Sequence, residues 1–220
     1  MPFDDQRRDS LMFASFEDDP KKLMLKRANS FASNMSFHSI VSSGPQGANS
    51  KLNNSNAGGN NLLSEPEIWR IFADMARSVQ HVHEKGFIHL DIKPSNFFVA
   101  KDRTVKLGDF GKAIHVNAVQ SVIDSDVEGD TVYMAPELLQ KRLSQKVDIF
   151  SLGATLLEIA SSMNLPQNGV LWTKLRDGSR IQFSPSAGRT PRLAHLINDM
   201  MAPEADMRPT IEEILIHPAL

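Results

Sequence analysis

Four side chains near the middle of the sequence carry groups suited to moving a phosphoryl unit. Asp91, Lys93 and Asn96 lie in the run His89-Leu90-Asp91-Ile92-Lys93-Pro94-Ser95-Asn96, and Asp109 opens Asp109-Phe110-Gly111. A transferred phosphoryl group spreads negative charge over its oxygens, so its catalysis is mostly alignment and charge neutralisation. Magnesium does much of that neutralising and takes oxygen ligands, which a carboxylate and a side-chain amide supply. The five-residue step from Asp91 to Asn96 lets one loop present a proton acceptor and a metal ligand to the same point. Any one of these aspartates alone reads equally well as a turn residue; the ordered set is far more specific.

These side chains need elements to hold them. Ser64-x-x-Glu67 is a capping box with Pro66 in the first turn. Ile68, Ile71, Phe72, Met75, Val79 and Val82 then recur at three and four, which predicts an amphipathic helix that Gly86 stops. Short β-rich pieces follow at Phe87-Ile88, Phe97-Phe98-Val99 and Val105-Lys106-Leu107, flanking the two polar turns. Val147–Ser161 is apolar almost all round and predicts a buried helix. Further helices are expected around Trp172–Arg176, Pro191–Met201 and Thr210–His217, the last opened by a second capping box, Thr210-x-x-Glu213. The expected class is mainly α with short β hairpins.

Composition narrows the function classes. The chain has 220 residues, a net charge of −2 and no cysteine. That balance gives no support for nucleic-acid binding, and the missing cysteines exclude a disulfide scaffold or a Cys-ligated zinc. No apolar run approaches the length of a membrane span. Residues 1–63 are expected to be a disordered Ser/Asn-rich linker or insertion, because a tract such as Asn49–Asn61 cannot bury enough apolar surface to offset its ordering entropy. Ser10 and Ser30 sit near basic residues and Lys21-Lys22 and Lys26-Arg27 are short basic pairs; the reading preferred for all of them is solvated charge. His81 and His83 lie about 200° apart on the predicted helix, so they cannot share a metal.

Ala135-Pro136-Glu137 follows Asp109-Phe110-Gly111 at activation-segment distance, and the motifs in this order resemble the C-terminal lobe of a eukaryotic protein kinase over 64–220. The resemblance implies ATP and Mg2+ as cofactors. It makes Asp91 the acceptor or orienter of the substrate hydroxyl proton and places Lys93 beside the γ-phosphate. Asn96 and Asp109 become the magnesium ligands, and Ser95 joins Lys93, Asn96 and Asp109 as a nucleotide-side residue. It further makes Asp148 the buried helix-start carboxylate that holds the catalytic-loop backbone, and Glu137 with Arg208 an ion pair. No Gly-x-Gly-x-x-Gly or Val-Ala-x-Lys precedes Ser64, and Lys51 is a poor substitute. A fragment of a longer kinase is therefore expected, with Phe98 and Leu107 less protected than in a whole one.

Finer features point to one branch. Leu90 stands where most kinases have an Arg that pairs with a phosphorylated loop, so activity is expected not to depend on loop phosphorylation. Glu128-Gly129-Asp130 puts an aspartate, within reach of Lys93, where Ser/Thr kinases commonly have Thr. With Leu165-Pro166, Gly169, Trp172, Leu175-Arg176 and Gly178, these residues resemble the Wee/Myt family of cell-cycle inhibitory kinases. That resemblance implies a protein substrate, a tyrosine and in some members a neighbouring threonine of a cyclin-dependent kinase, and a nuclear or cytoplasmic location. Trp172 reads either as part of a substrate-facing loop or as a packed core residue. The rival functional reading is a catalytically silent docking module without an upper lobe.

Overall fold

The computed structural model describes residues 63–100, 102–122 and 130–220. The readings made on residues 1–62, and on Glu128 and Gly129, lie outside the described residues.

The first helix, α1 (Glu65–Glu84), buries the predicted stripe, with Ile68, Ile71, Phe72, Met75 and Val79 wholly covered. Its start is tied as the capping box requires: one Glu67 oxygen accepts from the Ser64 amide at 2.8 Å and from the Ser64 hydroxyl at 2.6 Å. Glu65 reaches across the fold, accepting from the Thr190 amide and hydroxyl, both at 2.6 Å. The helix ends at Gly86, whose φ of 74° is the left-handed turn that a side chain resists. A Cβ there would also lie 2.9 Å from His115 Nε2.

The strands fall where the sequence put them, joined by one it did not reveal. β1 (Phe87–Ile88) pairs antiparallel with β4 (Ile114–His115), a two-residue piece too short to carry a periodic signal. β2 (Phe97–Val99) and β3 (Val105–Leu107) form a hairpin in which Phe97 faces Leu107 and Val99 faces Val105. A short helix, α2 (Val119–Val122), follows β4.

The centre of the lobe is α3 (Lys146–Ser161), buried on nearly every side. It packs so closely on α5 (Pro191–Met200) that a Cβ on Gly153 would come within 2.9 Å of Met200 Cβ and Met201 Cγ. Between them in the chain comes α4 (Gly169–Lys174), which starts earlier than the Trp172–Arg176 expectation, directly after Asn168 and with Gly169 itself at φ 87°. The last helix, α6 (Ile211–Leu215), is shorter than predicted but capped as predicted: Thr210 Oγ1 accepts from the Glu213 amide at 3.2 Å, and Glu213 accepts from the Thr210 amide at 2.7 Å. It closes against α1, where His217 stacks on Trp69 at 5.4 Å. The apolar side chains of α1, α3, α5 and α6 merge into one core.

Candidate active site

The loop between β1 and β2 carries Asp91, Lys93 and Asn96, and its path is set by a carboxylate from α3. Asp148 is fully buried. It accepts from the His89 amide at 2.8 Å, the Leu90 amide at 2.9 Å and His83 Nε2 at 2.9 Å. The expected backbone partners are present, and His83 is a partner that sequence spacing alone did not suggest. Leu90 sits at φ 64°, a left-handed conformation that costs a branched side chain about 1–2 kcal/mol. The bond from its amide to a buried carboxylate offsets that strain and fixes the bend just before Asp91.

His89, also fully buried, ties this loop to the Asp-Phe-Gly turn. Its Nδ1 faces the Asp91 amide at 3.4 Å, which leaves Nε2 to donate to the Gly108 carbonyl at 3.1 Å. The Gly108 amide in turn donates to the Asn96 carbonyl at 2.9 Å, extending the β2–β3 hairpin by one rung. Asn96 and Asp109 thus emerge at the same end of one hairpin. Asp109 holds φ 57°, accepts from the Gly111 amide at 3.3 Å and is exposed. The Phe110 ring meets His89 edge-on at 5.0 Å.

Charge gathers on Asp91. Lys93 Nζ lies 3.2 Å from one carboxylate oxygen and Lys112 Nζ lies 3.3 Å from the other. Asn96 Nδ2 donates to the Asp91 carboxylate at 3.0 Å and to its backbone carbonyl at 2.7 Å. Burial alone pushes this carboxyl upward, but the Lys93 and Asn96 bonds, with the charges of Lys93 and Lys112, outweigh it and leave the group below its ordinary 3.8. Asp130 reaches Lys93 at 3.7 Å, as its position in the sequence suggested. A shallow, open hollow lies beside these groups, lined among others by Asp91, Asp130, Tyr133 and Met134.

The arrangement brings together Asp91, Lys93 and Asn96, with Asp109 on the adjoining turn. Ser95 is exposed in the intervening turn and bonds to none of them. Lys112 went unforeseen, because it belongs to no motif; only the turn after Gly111 aims it at Asp91. Glu137 and Arg208 pair as expected, through two parallel bonds of 2.6 and 2.7 Å. Phe98 is 48% exposed and Leu107 half-buried on the hairpin that carries Asn96.

The protein kinase domain family matches residues 26–220, a span that also takes in part of the stretch upstream of α1. The chain belongs to the protein kinase family and is Wee-like within it. It is 42% identical over 158 residues to the membrane-associated tyrosine- and threonine-specific cdc2-inhibitory kinase wee-1.3 of Caenorhabditis elegans, covering 72% of this chain and 23% of that protein. The corresponding kinase of Drosophila melanogaster is 41% identical over 166 residues, covering 72% of this chain and 29% of its own length. The mitosis inhibitor protein kinase wee1 of Schizosaccharomyces pombe is 36% identical over 174 residues, covering 70% of this chain and 20% of its own length. The chain thus spans under a third of each of these three relatives. Protein kinases in general use ATP with Mg2+, and among the described residues no helix of this kinase is long and apolar enough to cross a membrane.

Proposed function

We propose that this chain carries the catalytic machinery of a Wee-type kinase, which transfers the γ-phosphoryl group of ATP to a tyrosine of a cyclin-dependent kinase, as some members of the family also do to a neighbouring threonine, and so restrains mitotic entry. The observation that carries the reading is the junction of Asp91 with Lys93 at 3.2 Å, Asn96 at 3.0 Å and, through Gly108, the Asp109 turn. The relatives' names support the substrate: two are cdc2-inhibitory with tyrosine and threonine specificity, and a third is a mitosis inhibitor.

In this reading Asp91 orients the attacking hydroxyl and receives its proton. Its lowered pKa suits a residue that acts mainly by position, since it stays ionised at neutral pH. Lys93 lies where it offsets charge on the γ-phosphoryl oxygens, and Asp130 steadies it from the far side. The donor set fits Mg2+. Asn96 spends its amide hydrogens on Asp91, which leaves its carbonyl oxygen as a ligand, and the exposed Asp109 offers a carboxylate. Among the described residues no trio of His, Cys, Asp or Glu could hold a metal unaided. When bound, Mg2+ supplies neutralisation of the phosphate oxygens; holding it falls to Asn96 and Asp109. The silent docking module is disfavoured, because Asp91, Lys93, Asn96 and Asp109 are all present and the relatives are named as kinases.

The test is phosphotransfer by the full-length protein to a cyclin-dependent kinase, read with a phosphotyrosine-specific probe. The wild type should exceed its Asp109→Ala and Asp91→Asn variants by at least about a hundredfold. Equal transfer by wild type and Asp109→Ala would overturn the reading.

A further inference from the structure

Tyr133 and Met134 line the hollow beside Asp91, yet their segment, 131–134, belongs to neither helix nor sheet. Its carbonyls need donors from elsewhere. Arg176, just past α4, supplies most of them. Its Nε donates to the Met134 carbonyl at 3.0 Å, and Nη2 to the Thr131 and Val132 carbonyls at 3.0 and 2.9 Å. Nη1 turns back to the Trp172 carbonyl at 3.0 Å. The guanidinium lies 4.0 Å from the Trp172 ring centre, and Trp172 Nε1 donates to the same Thr131 carbonyl at 2.8 Å.

This is an unusual way to bury a cation. Arg176 is only 8% exposed, and among the described residues no carboxylate pairs with it. Backbone dipoles and two aromatic faces, Trp172 and Phe150, replace the counter-ion. Burial draws the group down to about 10, so it remains charged at neutral pH. A planar fork is what can span several carbonyls at once; an ammonium at the end of a lysine cannot. Meanwhile position 90, where other kinases keep the arginine that grips a loop phosphate, holds a buried leucine.

We propose that Arg176, backed by Trp172, is the positioning residue that fixes 131–134 in its substrate-receiving shape, in place of the tie between a loop phosphate and an arginine at position 90. The proposal rests on the kinase reading above for its consequence, but the clamp itself is a property of the fold. Trp172 is half-buried and outside the core, so it is not the packed core residue that was one of its two readings; its indole instead ties down Thr131.

The experiment uses the full-length protein and three variants, Arg176→Met, Arg176→Lys and Trp172→Phe. Amide hydrogen exchange at 131–134 reads the clamp without any activity. Steady-state transfer to the protein substrate and ATP hydrolysis without it read the consequence. In Arg176→Met, exchange at 131–134 should quicken by about tenfold or more while α1 and α3 stay protected. KM for the protein substrate should rise about fivefold or more, with ATP hydrolysis within about twofold of wild type. Arg176→Lys should not restore either value, and phosphatase treatment of the wild type should change neither.

Unchanged exchange at 131–134 in a folded Arg176→Met would overturn the proposal. So would full rescue by lysine, or loosening of 131–134 by phosphatase. If Arg176→Met also exposes α1 and α3, Trp172→Phe decides: faster exchange confined to 131–134 supports the clamp, and wild-type exchange there overturns it. A wild type that phosphorylates no cyclin-dependent kinase would defeat the functional reading alone, since the exchange result stands without it.

Discussion

Asp148 Oδ1 accepts the Leu90 amide at 2.9 Å, at the very residue where the loop before Asp91 turns through φ 64°. A carboxylate on the central helix therefore sets the direction in which Asp91 points. Asp148→Ala should leave two buried amides and His83 without a partner and lower stability by about 3–5 kcal/mol. Asp148→Asn keeps the volume but loses the charge-assisted bonds, and should fall between the two. Urea unfolding followed by fluorescence measures both. An Asp148→Ala protein as stable as wild type would contradict this account of the loop.

The second prediction concerns the pair that joins the segment after Tyr133 to the distal helices. Arg208 is almost wholly buried and grips Glu137 through both of its terminal nitrogens, with Nε on the Ala202 carbonyl at 2.7 Å. Removing one partner strands the other charge, so Glu137→Ala should lose about 3–5 kcal/mol. Glu137→Leu combined with Arg208→Met removes both charges while roughly keeping volume. The double variant should therefore unfold at higher urea than either single one, and a double variant weaker than both would disprove the desolvation argument.

Much of this was legible in the sequence, and for local reasons. The stripe of α1, both capping boxes and the three β-rich pieces are written in short-range periodicity, which neighbours in the chain decide among themselves. The motif residues Asp91, Lys93 and Asn96 also converge, because five residues of one loop cannot separate far. What could not be read was contact across sequence distance. His83 meets Asp148, Lys112 meets Asp91, and Arg176 meets three carbonyls of 131–134, with only tertiary packing to bring them together. Of these, only Arg176 left a trace, as a member of the Leu165–Gly178 run that resembles the Wee/Myt family. The early start of α4 likewise turns on the conformation of Gly169, which no pattern announces.

Close helix packing gives the third prediction. An added methyl on Gly153 would sit 2.9 Å from both Met200 and Met201, nearer than packed carbons tolerate. Helix propensity alone would favour alanine over glycine by about 1 kcal/mol. Overpacking should win, because Met200 Cβ cannot swing away as a side-chain tip can, and Gly153→Ala should lose about 1–3 kcal/mol. A thermal shift upward would show instead that α5 yields easily.

The last prediction is a pH dependence with a definite sign. Glu158 lies in α3, 7% exposed, and accepts the Tyr133 hydroxyl at 2.6 Å. Burial raises its carboxyl above the ordinary 4.5; the Tyr133 bond and the Leu165 amide pull the other way, and Asp130 adds to the rise. Tyr133 is itself pushed far upward, chiefly by burial, and stays protonated as the donor. Between pH 4.5 and the raised value the folded protein holds a proton that the unfolded chain has released, so stability falls as pH rises through that window. The slope from this one group is at most about 1.4 kcal/mol per pH unit. Glu158→Gln keeps an acceptor for Tyr133 and removes the titration. Its stability relative to wild type should therefore climb as pH increases from 4.5 and level off above the raised value, in paired urea titrations across that range. A difference that stays flat from pH 4.5 to 8 would mean that the buried carboxyl ionises as readily in the folded protein as in water.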